Sequence, residues 1–308
     1  MHKRIRVLVA FAVLAACGAS GPPPAKEFDA KQALAYATTQ VAFGPRVPGL
    51  PGHAAMARWL DSMVRVRADS VTLQRWWHRT ANGDSIALTN VFAQFNVKAT
   101  QRVLYLAHWD TRPRADNDPD PKNKNLPIPG ADDGGSGVAV LLGVADALKK
   151  LPPEIGVDLL FVDGEDYGFF GPTPPRADVL IGASYYAKHQ LVSNRPLFAV
   201  LWDMVGHANA RFTIESNSQI AAAEVADRVW ATAGALGYAN IFTAVGTGGV
   251  TDDHVPLIEA GIRAIDVIDI NGYSQYWHTM ADTPDKLSVQ SFEAVGNTAV
   301  AVLRRALQ

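Results

Sequence analysis

From residue 103 onward, short apolar runs alternate with stretches of helical period, and a carboxylate or histidine stands where the runs end. The order is His108-Trp109-Asp110, Asp132-Asp133, Glu165-Asp166, Asp203 and His278. Strands joined through helices run parallel, and a parallel sheet must be covered on both faces, so the alternation constrains the fold more than any other feature. In an open sheet of this kind, residues distant in sequence converge beyond the carboxyl ends of the strands. The five clusters should therefore meet there as one carboxylate-rich metal site.

The expected fold class is α/β: a single domain with a central, mostly parallel mixed sheet covered by helices on both faces. Asp29 can cap a helix reaching residue 42, and Pro51 opens a second, with Met56, Trp59, Leu60 and Met63 on a shared face. Residues 71–79 and 86–96 read as paired strands around the turn Asn82-Gly83-Asp84. Buried-type strands are expected at 103–107, 157–162, 197–201 and 262–268. Helices are expected at 136–150, near Tyr185, at 221–236 and at 289–307.

The 308 residues are 48% hydrophobic and 19% charged, enough for one large core. A net charge of −2 with scattered Lys and Arg leaves no basic stripe, which argues against nucleic acid as a partner. Residues 1–16 read as an export signal: Lys3, Arg4 and Arg6 precede an apolar stretch at 7–16, too short to span a bilayer. The stretch ends at Leu14-Ala15-Ala16-Cys17, similar to a bacterial lipobox, which implies acylation of Cys17. Residues 17–27, with Pro22-Pro23-Pro24, then form a tether holding a folded domain at 28–308 off a membrane. The expected location is exported and membrane-anchored, on the periplasmic or cell-surface side, with the outer membrane as the destination in a Gram-negative host. Cys17 is the sole cysteine, so there is no internal disulfide.

In Gly130-Ala131-Asp132-Asp133-Gly134-Gly135-Ser136-Gly137, the glycines permit a tight turn into a helix, where one aspartate caps and the other points outward. Glu165 and Asp166 emerge where a buried strand leaves the core. Adjacent acids repel, a nearby cation relieves them, and one can bind the ion while its neighbour serves as a general base. His278 adds a neutral imidazole, and Asp/Asp/His donors with an open position suit a catalytic zinc. Ser136 and Ser184 lack the strand-elbow context of a nucleophilic serine.

These motifs, together with Gly164-Glu165-Asp166-Tyr167-Gly168, Thr251-Asp252-Asp253-His254-Val255-Pro256 and Tyr276-Trp277-His278-Thr279, resemble the ordered motifs of the M28 zinc peptidase family. Within that family the resemblance is greatest to bacterial glutaminyl-peptide cyclotransferases. It implies zinc held by Asp133, Asp166 and His278, Glu165 as general base and acid, and Asp203 and Asp253 in a proton-handling network. The family pattern often has Glu at the second metal position, where this chain has Asp166.

The implied reaction converts the N-terminal glutamine of a peptide or protein to pyroglutamate, releasing ammonia, with one zinc. The alternative is a two-zinc aminopeptidase, in which His108 and Asp203, with Asp110 nearby, serve a second metal or support the first. Cyclotransferases of this type keep the His108 and Asp203 equivalents with one zinc, so the motifs leave both readings open. A lipid-anchored binding protein without catalysis would have a damaged site, and no implied ligand or base is missing. Trp277 and Trp109 are the expected pocket walls. Residues 113–129 form either a loop beside the site or a solvated insertion. His53, His78 and His189 are expected at the surface or in packing, and His207 and His254 behind the site.

Overall fold

The computed structural model describes residues 25–171, 176–243, 246, 248–270, 272 and 275–307. The export signal at 1–16, Cys17 and most of the tether lie outside them. Six strands form one sheet in the order β1-β2-β4-β3-β5-β6: β1 (Ser70–Arg79), β2 (Ser85–Phe95), β3 (Arg102–His108), β4 (Gly156–Val162), β5 (Ala199–Trp202) and β6 (Ala264–Val267). The last four run parallel, while β1 pairs with β2 and β2 with β4 in antiparallel register. The mixed, mostly parallel sheet of the sequence expectation is present.

Every residue of β3, β4, β5 and β6 is buried, as strands covered on both faces require. Val103, Tyr105 and Ala107 point into a large core shared with α1 (Ala30–Ala42), α2 (Pro51–Arg65), α3 (Gly135–Lys150), α5 (Ser216–Ala235) and α7 (Val289–Arg304). The alternate residues Leu104 and Leu106 join a smaller core under α4 (Ile181–Lys188) and α6 (His254–Glu259).

Local chemistry explains the helix starts. Asp29 accepts from the Gln32 amide, Pro51 opens α2, and Ser288 accepts from the Ser291 amide at the start of α7. Helix α5 begins at Ser216, five residues before the expected 221, because Glu215 caps it by accepting from the Asn217 and Ser218 amides. Helix α6 was not anticipated; its six residues are too few to display a helical period. Strands β5 and β6 are four residues each, shorter than the expected 197–201 and 262–268, and β5 ends one residue later, at Trp202.

The site depends on how α3 seats against the sheet. Gly134, at φ 75°, turns the chain into the helix, and Gly137 lies directly on β5 and β3. A Cβ at Gly137 would stand 2.0 Å from the Trp202 carbonyl oxygen and 3.0 Å from the Ala107 Cβ. Alanine favours a helix over glycine by about 1 kcal/mol, but overpacking costs about 1–3 kcal/mol, and here the obstacle is backbone. Gly137→Ala should therefore lower the urea midpoint at unchanged m-value, a net loss of about 1–2 kcal/mol; an unchanged or raised midpoint would show that α3 can shift freely.

Candidate metal centre

The parallel strands deliver their carboxyl-terminal residues to one buried cluster. His108 ends β3, Asp133 lies in the turn before α3, and Glu165 and Asp166 follow β4 through Gly164 at φ 76°. Asp203 follows β5, Asp252 and Asp253 precede α6, and His278 enters from the segment before α7. All of these side chains are buried.

Two donor groups share Asp133. Asp133, Asp166 and His278 form one, and His108, Asp133 and Asp203 the other, with the donor atoms of each group within 4.8 Å of one another. His278 Nε2 lies 3.4 Å from Asp166 Oδ1 and 3.7 Å from Asp133 Oδ2. His108 Nε2 lies 3.2 Å from both Asp133 Oδ1 and Asp203 Oδ1. Donors arranged tetrahedrally around zinc at ~2.0–2.1 Å stand about 3.3–3.4 Å apart, close to these spacings. Asp133 Oδ2, Asp166 Oδ2 and both His108 ring nitrogens are buried without a hydrogen-bond partner, which is costly unless another species meets them. The residues fit a bound dication.

Electrostatics support that fit. Burial pushes the Glu165 carboxyl well above its usual range against the pull of His108, and Asp166, Asp252 and Asp253 push it further. Burial likewise raises Asp133 and lifts Asp166 to about 6. Asp252, Asp253 and Asp266 are raised by burial and by neighbouring acids. Burial alone would lower His108, but Asp203 and Glu165 outweigh it and hold the imidazole well above its usual range. So many buried acids need positive charge beside them, and a metal ion would be the largest such charge in the site.

A cavity of about 300 Å³ opens on the cluster. Asp133, Glu165, Asp166, Asp203, Asp252 and His278 supply its polar wall, while Phe170, Met204, Val250, Ile268, Ile270 and Trp277 supply the apolar one. Trp277 lines this cavity. Trp109 does not: it is fully buried, stacked on His53 at 4.4 Å, and its indole nitrogen donates to the Thr89 carbonyl, so it is a core residue rather than a pocket wall. Its neighbours in sequence point to the site, but alternation along the chain turns the ring to the other side.

Asp110 lies behind the donors and accepts from the Glu165 and Asp166 amides at 3.0 and 3.2 Å, fixing the turn that carries both acids. Asp282 does the same for the Asp132 and Asp133 amides at 2.8 and 3.1 Å. Of the paired acids before α6, Asp252 lines the cavity, whereas Asp253, the one singled out from the motif, is buried outside its lining, with neither oxygen hydrogen-bonded. The doubled acid was visible in sequence; which member faces the cavity was not. His254 lies 3.4 Å from Glu215, His207 lies 3.4 Å from Asp269, and His53 is paired with Asp163 at 2.9 Å.

Buried carboxylates and imidazoles gathered at the carboxyl ends of a parallel sheet form a candidate metal centre. The sequence model of peptidase family M28 matches residues 90–303, and the chain belongs to that family. It is similar to Porphyromonas gingivalis glutaminyl cyclase, with 36% identity and a TM-score of 0.86 over 92% of this chain and 100% of that one. It is also similar to a leucine aminopeptidase precursor from Bacteroides thetaiotaomicron, with 35% identity and a TM-score of 0.85 over 90% of this chain and 97% of that one. The alkaline phosphatase isozyme conversion protein of Escherichia coli is 30% identical over 162 residues, 50% of this chain; the match spans less than half of that protein's length, 46%.

A dication bound only by the folded state raises stability, by about 2.7 kcal/mol when its concentration is 100 times its Kd. Zinc should therefore raise the Tm and a chelator lower it. Ligand carboxylates must ionise to bind, and the Asp166 carboxyl stands at about 6, so proton competition should weaken zinc binding as pH falls from 7 toward 5. Calorimetric scans with and without zinc at the two pH values check this; an increment equal at both would contradict it.

Proposed function

We propose that the chain is a glutaminyl-peptide cyclotransferase that closes the N-terminal glutamine of peptides or proteins to pyroglutamate and releases ammonia. The observation carrying this reading is the cavity itself: Glu165, Asp203 and Asp252 face an apolar enclosure, and none of the three is needed by the donor group Asp133, Asp166 and His278. Three acids beside one metal group suit a reaction that takes a proton from one nitrogen and returns it to another.

Zinc on Asp133, Asp166 and His278 would supply Lewis-acid polarisation of the γ-carboxamide. The apolar wall of Trp277, Phe170 and Ile268 would fold the glutamine side chain back toward its own α-amine and exclude water. Holding the two reacting ends of one residue together is worth about 7–11 kcal/mol of barrier. Glu165 takes a proton from the α-amine as the nitrogen–carbonyl carbon bond forms. It then gives that proton to the carboxamide nitrogen as the carbon–nitrogen bond breaks and ammonia leaves. Burial and the surrounding acids raise the Glu165 carboxyl, which makes it a stronger base than a solvated carboxylate. Asp203 and Asp252, beside it on the cavity wall, would hold the amine and share the proton.

One observation favours a second reading. His108, Asp133 and Asp203 form a donor group of their own, and a second zinc there would make the site a two-metal aminopeptidase in which Glu165 activates water. A glutaminyl peptide and a leucyl anilide offered side by side separate the two. Chelator-sensitive ammonia and pyroglutamate are expected, and aniline release from the leucyl compound would instead establish the peptidase. Glu165→Gln should retain zinc and lose about 10²–10⁴-fold in turnover; a fully active variant would remove Glu165 from the role of base.

The sequence of residues 1–27 supports export and acylation of Cys17, which would hold the enzyme at a membrane surface, the outer membrane in a Gram-negative host. Metabolic labelling with a fatty acid should mark the full chain and be lost in Cys17→Ser; equal labelling of both would refute the anchor.

A further inference from the structure

Residues 112–118 grip two ligands of one donor group and none of the other. The Arg112 guanidinium, almost wholly buried, donates from Nη1 to Asp166 Oδ1 at 2.6 Å, and from Nε and Nη2 to the two oxygens of Asp116 at 2.8 and 2.6 Å. Asp116 Oδ1 in turn faces His278 Nδ1 at 3.5 Å. The Asn117 amide donates to the His278 carbonyl at 3.2 Å, and Asp118 accepts from the Met280 amide at 2.8 Å. His278 itself sits at φ 55°, a left-handed conformation that a non-glycine residue keeps only where its surroundings enforce it.

The consequences for metal binding follow from these contacts. Arg112 holds Asp166 Oδ1, the oxygen 3.4 Å from His278 Nε2, and leaves Oδ2 without a partner, so the orientation of this short carboxylate beside His278 is fixed from behind. With Nδ1 of His278 facing a carboxylate, the proton is kept on that nitrogen and the lone pair of Nε2 is turned toward Asp133 and Asp166. Arg112 and Asp116 are a nearly neutral pair, so they orient the ligands without cancelling their charge. Among the described residues, the Asp203 carboxylate meets His108 and the Met204 amide, with no guanidinium.

We propose that Arg112 and Asp116 form a strut that presets Asp166 and His278, making Asp133–Asp166–His278 the high-affinity zinc site and leaving the His108–Asp203 side without equivalent support. Both are positioning residues: neither needs to touch substrate. The inference rests on the reading that Asp133, Asp166 and His278 hold zinc, and it adds what sets their affinity.

The test measures zinc affinity of the full chain by competition with a chromophoric chelator, the absorption spectrum of the cobalt-substituted protein, and the Tm of the metal-free protein. The chains compared are wild type, Arg112→Met, Arg112→Lys and Asp116→Asn. Wild type should bind one zinc tightly, and Arg112→Met and Asp116→Asn should bind it about 10–100-fold more weakly with an altered cobalt spectrum. Arg112→Lys should fail to restore affinity, because an ammonium cannot fork between two carboxylates. If Arg112→Met does not fold, Asp116→Asn decides, since that side chain is partly exposed. Loss of metal-free Tm with unchanged zinc affinity would mark a purely structural role and overturn the strut. Tight wild-type binding with unaffected variants overturns the strut alone, whereas a wild type that takes up no zinc overturns the metal reading with it.

Discussion

Burial of many carboxylates at one end of a single sheet is the condition to which the rest of this structure answers. Asp110, Asp133, Glu165, Asp166, Asp203, Asp252, Asp253 and Asp266 all lie within the protein near the carboxyl ends of the parallel strands. Ionised acids in such a place are costly unless each meets a hydrogen-bond donor, a cation or a proton. The protein uses all three. Backbone amides cover Asp110, arginine covers Asp166, and burial with mutual repulsion favours protons on Asp252, Asp253 and Asp266. Among the described residues, Asp133 Oδ2, Asp166 Oδ2 and the His108 ring nitrogens remain buried without a hydrogen-bond partner, and they are atoms a metal would take.

That distribution separates rigid from reactive parts. Asp110 and Asp282 each hold a pair of consecutive amides, so the turns that display Glu165–Asp166 and Asp132–Asp133 are fixed from behind. Helix α3, seated through Gly137 on β3 and β5, fixes the position of the second turn against the sheet. Glu165 is spared such anchoring of its carboxylate and faces the cavity, as a group that must exchange a proton requires.

The family is established over residues 90–303, yet solved structures with nearly equal likeness to this chain bear names of different activities. A fold fixes where a site lies, and the chemistry is set by the groups placed in it. Here the difference comes down to whether His108 and Asp203 take up a metal or remain beside one, and to whether the nucleophile is a water or the substrate's own amine.

Alternating periods and buried apolar runs determined the fold class and nearly every element, because a strand covered on both faces must be continuously apolar and a covering helix must be amphipathic. Sequence also placed Asp133, Glu165, Asp166, Asp203 and His278 together, since strand ends in a parallel sheet converge whatever their separation along the chain. Helix α6 and the early start of α5 escaped, one for want of length and the other because a glutamate cap carries no distinctive signal. Tertiary structure alone decided that Trp109 turns into the core, that Asp252 rather than Asp253 lines the cavity, and that Arg112 and Asp116 stand behind the ligands. For Asp252, Arg112 and Asp116 the outcome depends on the direction of a side chain at a turn, where neither helical nor strand periodicity applies and only packing against distant residues decides; Trp109 continues the alternation of Val103, Tyr105 and Ala107, and the tertiary structure settles that this face is the core.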